Sequence, residues 1–147
     1  MHPVPDALAH LAGTWHVERT VRDLAGGAEG RFTGRTEFGL LEGGAPGLLH
    51  QESGVFVWQG VARPAERTLR FLPGGIPGTV AVHFADGRFF HDLDLRTGRH
   101  TADHPCSADL YRGEFEVLGP DSWRMVWRVG GPAKELLLVT RFERATP

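Results

Sequence analysis

The chain has 147 residues, 41% of them hydrophobic and 23% charged, with a net charge of −2 and a single cysteine, Cys106. The length suits one domain with a core of its own, and one cysteine excludes an intramolecular disulfide. The charge balance offers no basic field for nucleic acid, and no apolar run is long enough for a membrane-spanning helix.

Met1 to His10 carries neither a basic region nor an apolar stretch of the secretory kind, so a cytoplasmic chain is expected. The only helical pattern is Pro5 to Leu11, with Asp6 placed to cap it and Ala7, Leu8 and Leu11 on one face. Thr14 to Leu24 then alternates as a strand, with Trp15, Val17, Arg19 and Val21 on one side. A glycine-rich turn over Ala25 to Gly30 leads to a second strand, Arg31 to Glu42. Leu48 to Gly60 reads as one bent strand or two, broken at Gly54, and Arg67 to Leu72 as a short one before the loop Pro73 to Gly78.

Thr79 to Leu95 is a hairpin around Asp86-Gly87, a strong two-residue turn. Simple alternation pairs Phe84 with Phe89 and Val82 with His91, and sets His91 on the face of Phe84, Phe89, Leu93 and Leu95. Strands over Asp109 to Leu118, Ser122 to Val129 and Glu135 to Arg144 follow. About nine or ten strands in meander order, with short sequential turns, predict an all-β antiparallel up-and-down barrel with a short N-terminal helix. A β-sandwich is the alternative.

Leu11-Ala12-Gly13-Thr14-Trp15 resembles the Gly-x-Trp opening of calycin (lipocalin-like) barrels, in which the tryptophan plugs the closed end. A longer resemblance lies in Phe84-Ala85-Asp86-Gly87-Arg88-Phe89-Phe90-His91, in His104-Pro105-Cys106 with Asp109-x-Tyr111, and in Trp127-Arg128-Val129-x-Gly131-Pro132-x-Lys134. These motifs are similar to the bacterial family labelled domain of unknown function 6314, and the likeness runs from Leu11 to Arg144. It implies a lipocalin-like barrel and no particular reaction. The chain departs from the pattern at Leu136, where an aromatic residue is expected.

Three groups of residues could carry chemistry. Asp109 and Tyr111 share a face with Phe115 and Val117, and His91 faces the same interior, with His104 and Cys106 nearby in sequence. A carboxylate placed there needs a partner: His91, Arg19 or a ligand. His91, Asp109 and Tyr111 could orient a polar ligand head, act as an acid–base set, or simply tie strands together. His91, His104, Cys106 and Asp109 could alternatively hold zinc, although His-x-Cys is a poor zinc spacing, and Cys106 could serve as a nucleophile. Arg19, Arg128, Lys134 and Arg141 form a basic group, of which Arg19 faces inward and could grip a carboxylate or phosphate, or pair with Asp109 or Glu52. Trp58 is the aromatic residue best placed for a rim.

The expectation is a barrel holding a partly apolar small molecule with a polar or acidic head. Arg19, His91, His104, Cys106, Asp109, Tyr111, Arg128, Lys134 and Trp58 are the candidate contacts. An isomerase, cyclase or hydratase on the same barrel, and a structural module without a ligand, are the alternatives. No metal or cofactor is expected, zinc and haem being the exceptions to test; nor is nucleic acid or membrane insertion, and the sequence leaves the oligomeric state open.

Overall fold

A computed structural model describes residues 1–106 and 108–146, leaving aside the side chain of Cys106. Among the described residues, ten antiparallel strands follow one another in a meander. They are β1 (Gly13–Asp23), β2 (Glu29–Leu40), β3 (Leu48–Trp58), β4 (Val61–Pro73), β5 (Val80–Phe84), β6 (Phe89–Leu93), β7 (Arg99–Cys106), β8 (Asp109–Gly119), β9 (Ser122–Gly130) and β10 (Glu135–Arg144). β1 pairs with both β2 and β10, so the first and last strands meet and the sheet curls into a barrel. β6 and β7 are the two ends of the sheet and lie side by side at the seam. This is the up-and-down barrel that the alternation implied, and not a sandwich.

Three details differ from the sequence expectation. β3 runs unbroken through Gly54, because Gly34 of β2 lies opposite it and the ring of Phe32 covers both. A Cβ on Gly34 would fall 2.8 Å from both Gly54 Cα and Phe32 Cζ, so the aromatic ring replaces the missing side chains. β4 begins six residues before Arg67, although Pro64 interrupts its apolar pattern. β7, rich in histidine and polar residues, has no clean alternation and went unpredicted.

The β5–β6 hairpin also has a different register. Val82 pairs with His91 as expected, but a bulge then sets Phe89 opposite His83. Phe89 is therefore turned outward and 51% exposed, while Phe90 takes the inner place with His91. Period-2 reasoning fails here because the bulge adds one residue to one strand only.

One end of the barrel is closed. Helix α1 (Ala7–Leu11), capped by Asp6 accepting from the Ala9 amide, lays Ala7 and Leu11 on the core. The segment before it is bound by His2 N–H to Val117 O (2.9 Å) and Val4 N–H to Leu95 O (2.9 Å). Trp15 is fully buried, and its indole N–H donates to Leu11 O at 2.8 Å. Trp123 meets Trp15 edge-on and stacks on Phe142 at 3.8 Å. The Arg144 guanidinium lies 4.2 Å over the Trp15 ring and donates to the carbonyls of His10, Ala12 and Pro120 and to Asp121. Arg144 thus ties the helix, the β8–β9 turn and the last strand to one indole.

The wall is incomplete on one side. β5 reaches only as far as Leu69 on β4, with Leu69 paired to Phe84, so β4 from Val61 to Thr68 has a neighbour on the β3 side alone. This bare stretch spans roughly 25 Å at strand spacing. With the end of β7 it frames a side window above the tip of the short β5–β6 hairpin. Pro64 sits within the bare edge, where a residue without an N–H loses no ladder bond.

The closed end makes a testable demand. Arg144→Ala is expected to lower stability by about 2–3 kcal/mol in urea denaturation, through lost charged hydrogen bonds and the cation–π contact. Arg141→Ala, on the exposed outer wall, is expected to stay within about 0.5 kcal/mol of the parent.

Candidate functional site

The lower half of the barrel is filled by apolar side chains, and the chemistry begins one layer above Trp15. Arg19 on β1 reaches across β2 to Glu52 on β3 with two parallel bonds, Nη1 to Oε2 at 3.0 Å and Nη2 to Oε1 at 2.8 Å. Its Nε donates to Thr140 Oγ1 at 2.7 Å, and Thr36 Oγ1 donates to Glu52 Oε1 at 3.3 Å. Side-chain exposure is 12% for Arg19 and 4% for Glu52. Desolvation pushes the Glu52 pKa up, but the hydrogen bonds and charge of Arg19, with lesser help from His50 and Arg67, outweigh it and hold it below the usual value. Glu52 is an ionised anchor for Arg19, which leaves Arg19 fully engaged.

Arg67 is the cation that remains. It lies on the inner face of β4, in register with Glu52 and at the foot of the side window. Its guanidinium sits 5.7 Å over the Phe90 ring, and Phe90 stacks on Phe84 at 4.5 Å. Among the described residues it has no ion-pair or hydrogen-bond partner. Desolvation by the surrounding wall, then the charge of Arg19, lower its pKa, while Glu52 and Tyr111 oppose. The side chain is nonetheless exposed, because the space around it is lumen and window rather than packed core. Arg63, two residue pairs further along the same face, is also unpaired among the described residues.

Opposite Arg67 stands an aromatic wall. Phe90, His91, Phe115 and Trp127 pack with ring centroids 4.6–5.8 Å apart. Trp127 lies flat over Gly113, where a Cβ would fall 2.7 Å from the ring. His104 packs edge-on against Phe84, Phe90 and Tyr111, closing the seam beside the window with side chains. His91 Nδ1 is 2.7 Å from its neighbour's carbonyl, Asp92 O. A carbonyl only accepts, so Nδ1 carries the proton. Burial lowers the His91 pKa to about 4 and keeps the ring neutral. His50, stacked on Phe71 at 5.5 Å, is likewise lowered to about 4 by burial.

Above this layer the barrel opens. A cavity of about 210 Å³ lies among Arg19, Phe32, Glu52, Phe56, Arg67 and Leu138. Val21 and Phe56 join it to a mouth of about 600 Å³ that Trp58, Val61, Arg63 and Leu136 also line. Trp58 stacks on Phe56 at the rim, at 6.0 Å. Leu136, the departure from the family pattern, leaves this mouth lined by an aliphatic side chain.

The residues singled out from sequence divide accordingly. Arg19, His91, Tyr111 and Asp109 all lie on inner faces, but they do not form one cluster. Arg19 pairs with Glu52, and Asp109 with Lys134 at 3.3 Å, near the open end. Neither His91 nor Arg19 is the partner of Asp109. The Lys134 ammonium is also 6.0 Å from the Tyr111 ring. Its pKa is raised, by the Asp109 bond first and then by Tyr111. His104 is half-buried and Trp58 is at the rim, whereas Arg128 and Arg141 are exposed on the outer wall. The Cys106 side chain lies outside the described residues, and with it the zinc and nucleophile readings that needed it. Arg67 was not singled out, although its signal was present: it alternates with Leu69 and Phe71, so period 2 already put it on the buried face.

The buried pair and the buried histidines can each be probed by denaturation. Glu52→Leu strands Arg19 in the barrel and is expected to cost about 3–5 kcal/mol, whereas Arg19→Met with Glu52→Leu is expected to recover most of that in denaturant titrations. Stability is also expected to fall with acid. His50 and His91 have folded pKa values below that of the unfolded chain, so the unfolded chain binds more protons as pH drops from about 6.5 to 4. Each histidine then costs about 2 kcal/mol at pH 5, and His91→Phe is expected to flatten the profile by about that share.

The architecture has counterparts among solved structures. The S-type phycobiliprotein lyase CPES from Guillardia theta matches with a TM-score of 0.69 and 7% identity, over 99% of this chain and 94% of that one. A protein of unknown function of the DUF3598 family from Nostoc punctiforme matches with a TM-score of 0.63 and 12% identity. That match covers 98% of this chain and 51% of the other, so the chain spans about half of that relative. At such identities the likeness shows the fold alone. No curated protein has a matching sequence. Over residues 11–144, with the Trp15 plug and the aromatic wall inside them, the chain belongs to the family of unknown function DUF6314.

Proposed function

We propose that the protein binds a small organic acid, with the acidic head on Arg67 and an apolar, flat body against the aromatic wall. The observation that carries this is Arg67 itself. It is a desolvated guanidinium, without a protein counter-charge among the described residues, set beside a cavity. Such a charge is costly unless something pairs with it, and a carboxylate fits the planar fork with two parallel bonds.

Each neighbour has a part in this. Arg19 and Glu52 neutralise one another and form a polar floor that an acid meets without gaining a second partner. The rings of Phe90 and Trp127 offer flat apolar surface, and the Phe90 face under Arg67 supports the cation while it waits. Val21, Phe56, Trp58 and Leu136 line the approach from the mouth, and the window above β5–β6 gives a second approach directly onto Arg67. The space available, about 210 Å³ within and about 600 Å³ at the mouth, suits a ligand of one to three rings.

An acid–base enzyme built on His91, Asp109 and Tyr111 has less support. Asp109 is committed to Lys134 and His91 to a backbone carbonyl, so no carboxylate–imidazole couple is formed. Binding therefore suits the geometry better than turnover does.

The reading is tested with 2-naphthoate as probe, followed by quenching of tryptophan fluorescence. Wild type is expected to bind it, the uncharged 2-naphthamide at least about tenfold more weakly, and Arg67→Met to lose the preference for the acid, since one charged pair is worth that much or more. Equal affinity of wild type and Arg67→Met for the acid would overturn the assignment of the head.

A further inference from the structure

We infer that the ligand carries, beside its acidic group, one hydrogen-bond donor (a hydroxyl or an N–H on its flat body) that His91 Nε2 accepts. The inference deepens the acid-binding reading and rests on it.

Val82 of β5 pairs with His91 of β6, which fixes the His91 side chain on the inner face. There Asp92 O, at 2.7 Å, takes the only hydrogen that a neutral imidazole has. The other nitrogen is left with a lone pair and no hydrogen. The residue is 6% exposed, among Phe90, Phe115 and Trp127. None of these three offers Nε2 a hydrogen bond in the structure, and no other described residue does so. Yet Nε2 is not sealed in as a buried unpartnered atom, as Nδ1 of His50 is. It opens onto the lumen.

A nitrogen in this state discriminates. It accepts from O–H or N–H and repels the lone pairs of an ether, a ketone or a carboxylate. The tautomer cannot adapt by exchanging its proton, because turning Nδ1 into an acceptor would set its lone pair against those of Asp92 O at hydrogen-bond distance. Nor can the ring readily take up a second proton, being buried with Arg67, His100 and His104 as neighbouring cationic or potentially cationic groups. Arg67 and His91 flank the Phe90 ring, one as a pure donor and the other as a pure acceptor. A ligand lying on Phe90 meets both. The acid is drawn to the arginine, the donor to the histidine, and the reversed orientation is disfavoured at both ends. The class that fits is therefore a hydroxy- or N–H-bearing aromatic acid rather than a simple fatty or aryl acid.

The test uses the 3-, 5-, 6- and 7-hydroxy-2-naphthoates, their methoxy counterparts and 2-naphthoate itself, titrated into the full chain by calorimetry. At least one hydroxy isomer is expected to bind about tenfold or more tighter than both 2-naphthoate and its own methoxy counterpart, the scale of one buried hydrogen bond. His91→Phe is expected to erase that gain while keeping the affinity for 2-naphthoate. Nitrogen-15 NMR of the free protein is expected to show His91 as the neutral form protonated at Nδ1, a readout that stands whichever probe binds. A His91 protonated at Nε2, or naphthoates that bind through Arg67 with no isomer gaining from its hydroxyl, would overturn the inference while leaving the acid-binding reading intact. Absence of binding by every naphthoate, with the tautomer as expected, would instead remove the acid-binding reading and this inference with it.

Discussion

Two charges face one another inside the barrel, and much of its interior is arranged around them. Glu52 stays ionised with almost no solvent contact because Arg19 meets both its oxygens and Thr36 adds a third bond. A pair of this kind gives little net stability, since desolvation consumes most of the attraction. What it does is fix positions. It bridges β1 and β3 across β2 and marks the level where packed apolar core ends and open lumen begins. Below it lie Trp15, Trp123, Phe38 and Phe142; above it the wall is lined but not filled.

That boundary gives Arg67 its character. A barrel with one interior acid and two interior arginines at the same level has one positive charge too many, and the geometry of the Arg19–Glu52 fork decides which arginine is left over. Arg19 uses its Nε and both terminal nitrogens on Thr140 and Glu52. Arg67 rests on an aromatic face instead. Lys134 and Asp109 repeat the pairing near the rim, so the surplus is concentrated at one place rather than spread through the barrel.

The sequence revealed the meander, the N-terminal helix, the plugging tryptophan and the inward direction of Arg19, His91, Asp109 and Tyr111, because each depends only on local alternation or a short motif. It did not reveal which inward residues meet. Asp109 and His91 face the same lumen, but barrel height separates their partners, and height is set by register around the whole sheet. The Phe89–Phe90 reversal has a different origin: the bulge is a two-strand property, invisible in one strand's pattern. β7 escaped notice because its inner residues, Ala102 and His104, are small or polar where a strand's inner row is usually apolar. Arg67 was legible and passed over, since an arginine heading an apolar row reads as a strand end until the strand proves to start six residues earlier.

The bare edge of β4 has a consequence for the protein's behaviour in a crowd. Unsatisfied amides and carbonyls on a strand edge invite another strand, and edges of this length are a common start for intermolecular sheets. Here the invitation is blunted in three ways. Pro64 removes one donor and interrupts the row, Arg63 and Arg67 place charge beside it, and Glu66 does so on the outer side. A β-protein that keeps an opening in its wall must defend that opening against its own kind, and the same arginines that suit the lumen to an acid also make the edge a poor template for an incoming chain.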